Sequence, residues 1–128
     1  MAVKISGAPA VVVVPATLYL PGENGAFFKH VFSVHFRRLT TSEREATVKD
    51  IVDGKVSLRD ALDRLVIGWG GMLDEAEQPV VYTHAERRAA NEAWDGLEQA
   101  MGVAFFDNFA VTQREAALKN SAAPSVAA

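Results

Sequence analysis

Hydrophobic and polar positions alternate with a period of two in the first third of the chain and switch to helical spacing after Thr40. Residues 17–20 read as a strand, Pro21-Gly22-Glu23-Asn24-Gly25 as a dense turn signal, and residues 26–39 as a second strand. In that second run Phe28, His30, Phe32, Val34 and Phe36 share one face, while Lys29, Val31, Ser33, His35 and Arg37 take the other. One face is aromatic and the other mostly polar, the pattern of a half-buried antiparallel hairpin. Upstream, Val11, Val12, Val13 and Val14 read as a buried or paired strand. That stretch is short and interrupted by Pro9 and Pro15, so it is neither a membrane span nor a good secretion signal.

The helical part divides at its caps. Ser42 with Glu45 has the form of a capping box, Val48, Ile51 and Val52 follow at helical spacing, and Asp53-Gly54 stops the helix. Ser57 with Asp60 starts a second helix, in which Leu58, Leu62, Leu65, Val66 and Trp69 form one apolar stripe. Gly68, Gly70 and Gly71 are expected to end it, and Trp69→Ala is the destabilising substitution the pattern singles out. A connector with Asp74, Glu75, Glu77 and Pro79 leads to Thr83 and Glu86, a third capping signature that opens an Ala-rich helix. Gly96 and Gly102 leave open whether one broken helix or two shorter ones follow. Phe105, Phe109, Thr112 and Ala116 then share a face, with Phe106 beside it.

The expected fold is therefore α+β, an N-terminal β-hairpin followed by a bundle of four to five α-helices. Residues 1–120 are expected to form a single domain and residues 121–128 a loose C-terminal tail. With 128 residues, 49% of them hydrophobic and 23% charged, the chain fits one globular domain. It has no cysteine, which rules out disulfides and thiolate chemistry. The formal net charge is −3 and only Arg37-Arg38 and Arg87-Arg88 are adjacent basic pairs, so neither nucleic acid nor a membrane is an expected partner.

Tests for a reactive centre return little. His30 and His35 fall on opposite strand faces and His84 has no partner at helical spacing, so no metal or other cofactor is expected. Ser33 and His35 share a face but lack a nucleophile elbow or an oxyanion loop. The glycines of Gly68-Trp69-Gly70-Gly71 follow a helix, whereas a phosphate loop opens one, and residues 74–77 lack the spacing of a calcium loop. No catalytic set is expected. The aromatic run is more informative: core packing is the simplest account of Phe105, Phe106 and Phe109, and a partner groove is the functional alternative.

The segment Leu65-Val66-Ile67-Gly68-Trp69-Gly70-Gly71-Met72-Leu73-Asp74-Glu75, followed by Gln78-Pro79-Val80-Val81-Tyr82-Thr83, resembles the tail assembly chaperones of long-tailed, siphophage-type bacteriophages. So does Phe36-Arg37-Arg38-Leu39, similar to the aromatic–basic strand that precedes the first helix in that family. The likeness extends over roughly residues 16–120. It departs at Glu77-Gln78, where a glycine is common, and in the valine-rich extension before Thr17.

The resemblance implies a non-enzymatic protein of the host cell cytoplasm that binds the tape measure protein during tail assembly and is not retained in the virion. It also implies further partners: a longer form made by ribosomal frameshifting, the major tail protein and further copies of the chain. Lys119-Asn120 is compatible with an AAA-AAC slippery sequence. If one surface carries binding, Phe105, Phe106 and Phe109 are the residues expected to do so. The rival expectations are a structural tail or head–tail connector protein and a small DNA-binding regulator.

Overall fold

Eleven residues on each side of a tight turn pair into the long hairpin that organises the molecule. In the computed structural model, which describes residues 10–109, β1 (Val11–Pro21) lies antiparallel to β2 (Phe27–Arg37), with Val11 opposite Arg37 and Pro21 opposite Phe27. The valine run and residues 17–20 are thus one strand that continues through Pro15. Antiparallel geometry explains why. Ala10 accepts a backbone hydrogen bond from Arg38 (2.9 Å) and Gly22 donates one to Ala26 (2.7 Å). Hydrogen-bonded pairs alternate along such a ladder, so Val12, Val14, Ala16, Leu18 and Leu20 turn their amides toward β2. Odd-numbered residues of β1 turn theirs away. Pro15 sits at one of these outward positions, where its missing N–H costs no ladder bond.

Sheet order is β1-β2-β3, so β1 is an edge strand, and no charged residue lies between Val11 and Pro21. Such edges invite pairing with another chain, and a proline ring facing outward obstructs it. Pro15→Val is expected to keep the fold and to raise self-association above that of the parent at equal concentration. Light scattering across a dilution series checks this, and identical profiles for the two proteins would refute it.

The first helix, α1 (Thr41–Val52), has its cap two residues before the expected one. Thr40 is the N-cap: its hydroxyl accepts from the Glu43 amide (3.1 Å), and the Glu43 carboxylate accepts from the Thr40 amide (2.9 Å). Leu39 is buried at the end of the hairpin, which fixes Thr40 as the last extended residue and places Ser42 inside the first turn. Thr40→Ala is expected to cost about 1 kcal/mol, and Ser42→Ala much less, as read by urea unfolding. Asp53-Gly54 ends the helix as expected, Gly54 having a positive φ of 73°.

The second helix, α2 (Leu58–Leu65), is capped by Ser57 and is shorter than its apolar stripe suggested. Residues Val66–Gly70 form a third strand, β3, and do not continue the helix to Trp69. β3 pairs antiparallel with β2, Gly70 opposite Ser33, Trp69 opposite Val34 and Gly68 opposite His35. The free edge of β2 offers backbone partners, Val66 and Ile67 are β-branched, and two glycines let the strand come close. A Cβ on Gly68 would stand 2.9 Å from His35 Nδ1, and one on Gly70 2.5 Å from Ser33 Oγ. Gly68 and Gly70 are therefore strand residues, contrary to the helix-ending role expected of them.

Trp69 keeps a structural role in this new setting. Its indole Nε1 donates to the Val80 carbonyl (2.8 Å) and its ring meets Tyr82 edge-on at 5.0 Å, which pins the connector after β3. Asp74 Oδ1 accepts from the Ala76 and Gln78 amides, both at 2.9 Å, and closes the acidic turn. Trp69 is only partly buried, so Trp69→Ala is expected to cost about 2 kcal/mol, below the range for a fully buried tryptophan. Thermal melts check this.

Thr83 caps α3 (His84–Ala93), and α4 (Leu97–Ala104) follows after Gly96, whose φ of 89° requires glycine. The Ala-rich region thus holds two short helices. A π-helical turn, Phe105–Phe109, ends the described chain. The expected tail at residues 121–128 lies outside the described residues, as do Thr112 and Ala116. The architecture is α+β: a three-stranded antiparallel sheet and, among the described residues, four α-helices. Val14, Ala16, Leu18, Phe32, Val34 and Phe36 line the buried side of the sheet, against Leu62, Leu65, Leu97, Met101, Ala104 and Phe105.

Candidate functional site

The two faces of the sheet have different fates. Even-numbered side chains of β1 and β2 enter the core, although Phe28 (59% exposed) lies toward the hairpin tip. His30 is also exposed and meets Trp94 edge-on at 5.3 Å. Odd-numbered side chains form the opposite face. There Val13, Tyr19, Phe27 and Val31 are 58%, 59%, 67% and 60% exposed. The register sets Thr17 against Val31, Tyr19 against Lys29 and Val13 against His35. This is an apolar face open to solvent, larger than the mostly polar one expected. The reason is that β1 supplies valines and a tyrosine beside the polar positions of β2.

Ser33 and His35 lie on this face, with Ser33 Oγ 3.5 Å from His35 Nε2. That separation is long for a hydrogen bond, and among the described residues no carboxylate orients the imidazole. His84 belongs elsewhere: its Nδ1 is 2.9 Å from the Tyr82 hydroxyl. Both line an open groove of about 390 Å³ with Asp63, Arg64, Val66, Ile67 and Thr83. The three histidines are not brought together, and no group of three or more potential metal ligands occurs among the described residues.

Beneath that groove lies a polar cluster that sequence reasoning missed. Arg87 is fully buried, and its guanidinium donates to Glu98 (2.9 Å), Asp63 (2.5 Å) and the Tyr82 hydroxyl (2.9 Å). Arg59 reaches Glu98 at 2.7 Å, Arg88 pairs with the other oxygen of Asp63, and the Asn91 side chain accepts from the Glu98 amide. No buried side-chain polar atom is left unpaired among the described residues. Burial alone would raise the Asp63 and Glu98 carboxyls, but the arginine hydrogen bonds and charges outweigh it and hold both below the ordinary range. Burial pushes the Tyr82 hydroxyl up. No buried side-chain donor or acceptor in it lacks a partner, and its ion pairs and hydrogen bonds join α2, α3, α4 and the connector.

The aromatic trio singled out from the sequence is divided. Phe105 is 1% exposed and meets Phe36 edge-on at 5.5 Å, so its ring offers no surface to a partner in this conformation. Phe106 packs on the core partly buried, with its ring 5.4 Å from that of Phe105. Phe109 is the last described residue of the π-helical turn.

Comparisons with family models, with curated proteins and with solved structures return no match. The site must be judged on its own chemistry. The open sheet face can bury apolar side chains of a partner, whereas the Arg87 cluster satisfies itself. No helix among the described residues is long and apolar enough to cross a membrane. A signal for the open face was present in the sequence: the alternation in β1 leaves Val11, Val13 and Tyr19 opposite the core side.

Proposed function

We propose that this chain is a tail assembly chaperone of a long-tailed bacteriophage, acting in the host cytoplasm by holding the tape measure protein until tail-tube subunits cover it. The observation that carries this reading is the ordered series Phe36-Arg37-Arg38-Leu39, Gly68-Trp69-Gly70-Gly71, the acidic turn at Asp74, Pro79, Tyr82 and the helix-capping Thr83. Supporting it is the open apolar face of the hairpin, which suits reversible masking of an apolar target. The action is binding without catalysis or cofactor, and the protein leaves before the virion is complete. A longer frameshifted form, the major tail protein and further copies of the chain are its additional partners. Phe106 and Phe109 remain the contacts proposed on the C-terminal side.

Co-expression with the cognate tape measure protein tests the proposal. The expected result is a soluble complex from a tape measure that aggregates alone; neither complex nor improved solubility would remove the reading. A second reading, a structural tail or head–tail connector protein, draws on the same open face, which suits a permanent subunit contact equally well. Mass spectrometry of purified virions separates the two, since stoichiometric presence favours the structural role. For the frameshift, a slippery run with an overlapping downstream frame is expected in the gene, and absence of both removes it.

A further inference from the structure

We infer that the outer face of the sheet is the docking surface for an amphipathic helix whose apolar stripe is flanked by acidic side chains. This deepens the chaperone reading and rests on it only for the identity of the natural partner. Three observations converge. The first is exposure: Val13, Tyr19, Phe27 and Val31 stand on one face of the hairpin, and the buried core cluster lies on the other. Four large apolar side chains on one face, each more than half exposed, are the mark of an interaction surface.

The second observation concerns the direction of approach. An incoming strand would add at the β1 edge, but Pro15 presents its ring there and lacks the N–H that the new ladder needs. A partner therefore meets the face and not the edge. Gly68 and Gly70 lie opposite His35 and Ser33, so β3 adds bare backbone to this face and keeps it shallow. An eleven-residue strand spans about 35 Å, the length of a helix of about 23 residues at about 1.5 Å per residue.

The third is charge. The ionisable side chains of β1 and β2 are Tyr19, Lys29, His30, His35 and Arg37, and neither strand holds a carboxylate, although the whole chain carries −3. Lys29 faces outward beside Tyr19, and His35 beside Val13. Arg37 is tied to the Arg64 carbonyl (2.9 Å) and lies 3.8 Å from Glu43, so Lys29 is the principal cation of the face. Acidic residues flanking an apolar stripe complement this distribution, and lysines oppose it.

Anisotropy titrations of the full chain with two labelled synthetic helices of about 24 residues test the inference. Both peptides carry the same leucine stripe, one flanked by glutamate and the other by lysine. The glutamate peptide is expected to bind at least about tenfold tighter, about 1.4 kcal/mol, an advantage that shrinks in high salt. Val31→Asp is expected to weaken it at least about tenfold, Lys29→Glu to reverse the preference, and Val103→Asp, at an exposed position of α4, to change nothing. Circular dichroism confirms folding, and Tyr19→Ser replaces Val31→Asp should that variant unfold. Equal binding of both peptides, or full binding by Val31→Asp, overturns the inference. So does a parent dimer that Val31→Asp dissociates and peptide does not, because a second copy then covers the face. A tape measure complex that survives Val31→Asp removes the face and spares the chaperone reading. Peptide binding lost in Val31→Asp, with no tape measure complex in the parent, does the reverse.

Discussion

Arg87→Met is expected to lower the unfolding free energy by about 3–5 kcal/mol, because it strips a buried cation from carboxylates that remain in place. For a domain of this size that corresponds to a fall in melting temperature on the order of 10–20 °C. In the parent, Arg87 is fully buried and bonded to Asp63, Glu98 and Tyr82, and both carboxyls are held below their ordinary range. The sign of the pH dependence follows. Groups whose folded pKa is depressed contribute their full stability above the unfolded carboxylate pKa and lose it as pH falls through the folded value. The parent should therefore weaken steadily on acidification below the ordinary carboxylate range. In Arg87→Met, Asp63 keeps Arg88 and Glu98 keeps Arg59, so the acid slope flattens. Urea unfolding at pH 7 and pH 4 reads both effects. A loss under about 1 kcal/mol at pH 7 would put Arg87 in the range of a solvent-exposed bridge and refute its role as a buried ion-pair centre.

Arg87 also shows where sequence reading stops. Beside Arg88 it looks like one of two dispersed surface cations. Helical spacing held a hint, since Arg87, Ala90, Asn91 and Trp94 recur at i, i+3, i+4 and i+7, which puts Arg87 on the same side as Ala90 and Arg88 off it. What the spacing lacks is the carboxylate partner: Asp63 and Glu98 come from two other helices. The hairpin was legible because its signal is local, in Phe32, Val34 and Phe36 and the Pro21–Gly25 turn. The caps at Ser57 and Thr83 were local too. β3 was not, because Leu58, Leu62, Leu65 and Trp69 satisfy a helical period whether or not residues after Leu65 are helical. Only the vacant edge of β2, far away in sequence, decides between helix and strand for Val66–Gly70. The open face was half legible, visible in β1 and masked in β2 by Lys29, Ser33 and His35.

Phe105→Ala is expected to destabilise the protein by about 3–5 kcal/mol, and this outcome separates the two roles an aromatic run can have. Phe105 is 1% exposed, stands edge-on to Phe36, which is fully buried, and leads the π-helical turn directly out of α4. Truncating it opens a cavity between the sheet and α4, and rigid strands on one side limit collapse into the space. The loss should be shared with Phe36. A double-mutant cycle with Phe36→Ala is expected to give a coupling of about 0.5–1.5 kcal/mol, the size of an edge-to-face aromatic pair. A contact residue behaves differently: its truncation leaves unfolding unchanged and weakens a complex. Urea unfolding of Phe105→Ala, alone and with Phe36→Ala, distinguishes these cases. Parent-like stability would place the Phe105 ring outside the core and return it to the binding surface. A large loss with positive coupling ties α4 and the π-helical turn to β2, so that the strand exposing Val31 on one face is braced by Phe105 on the other.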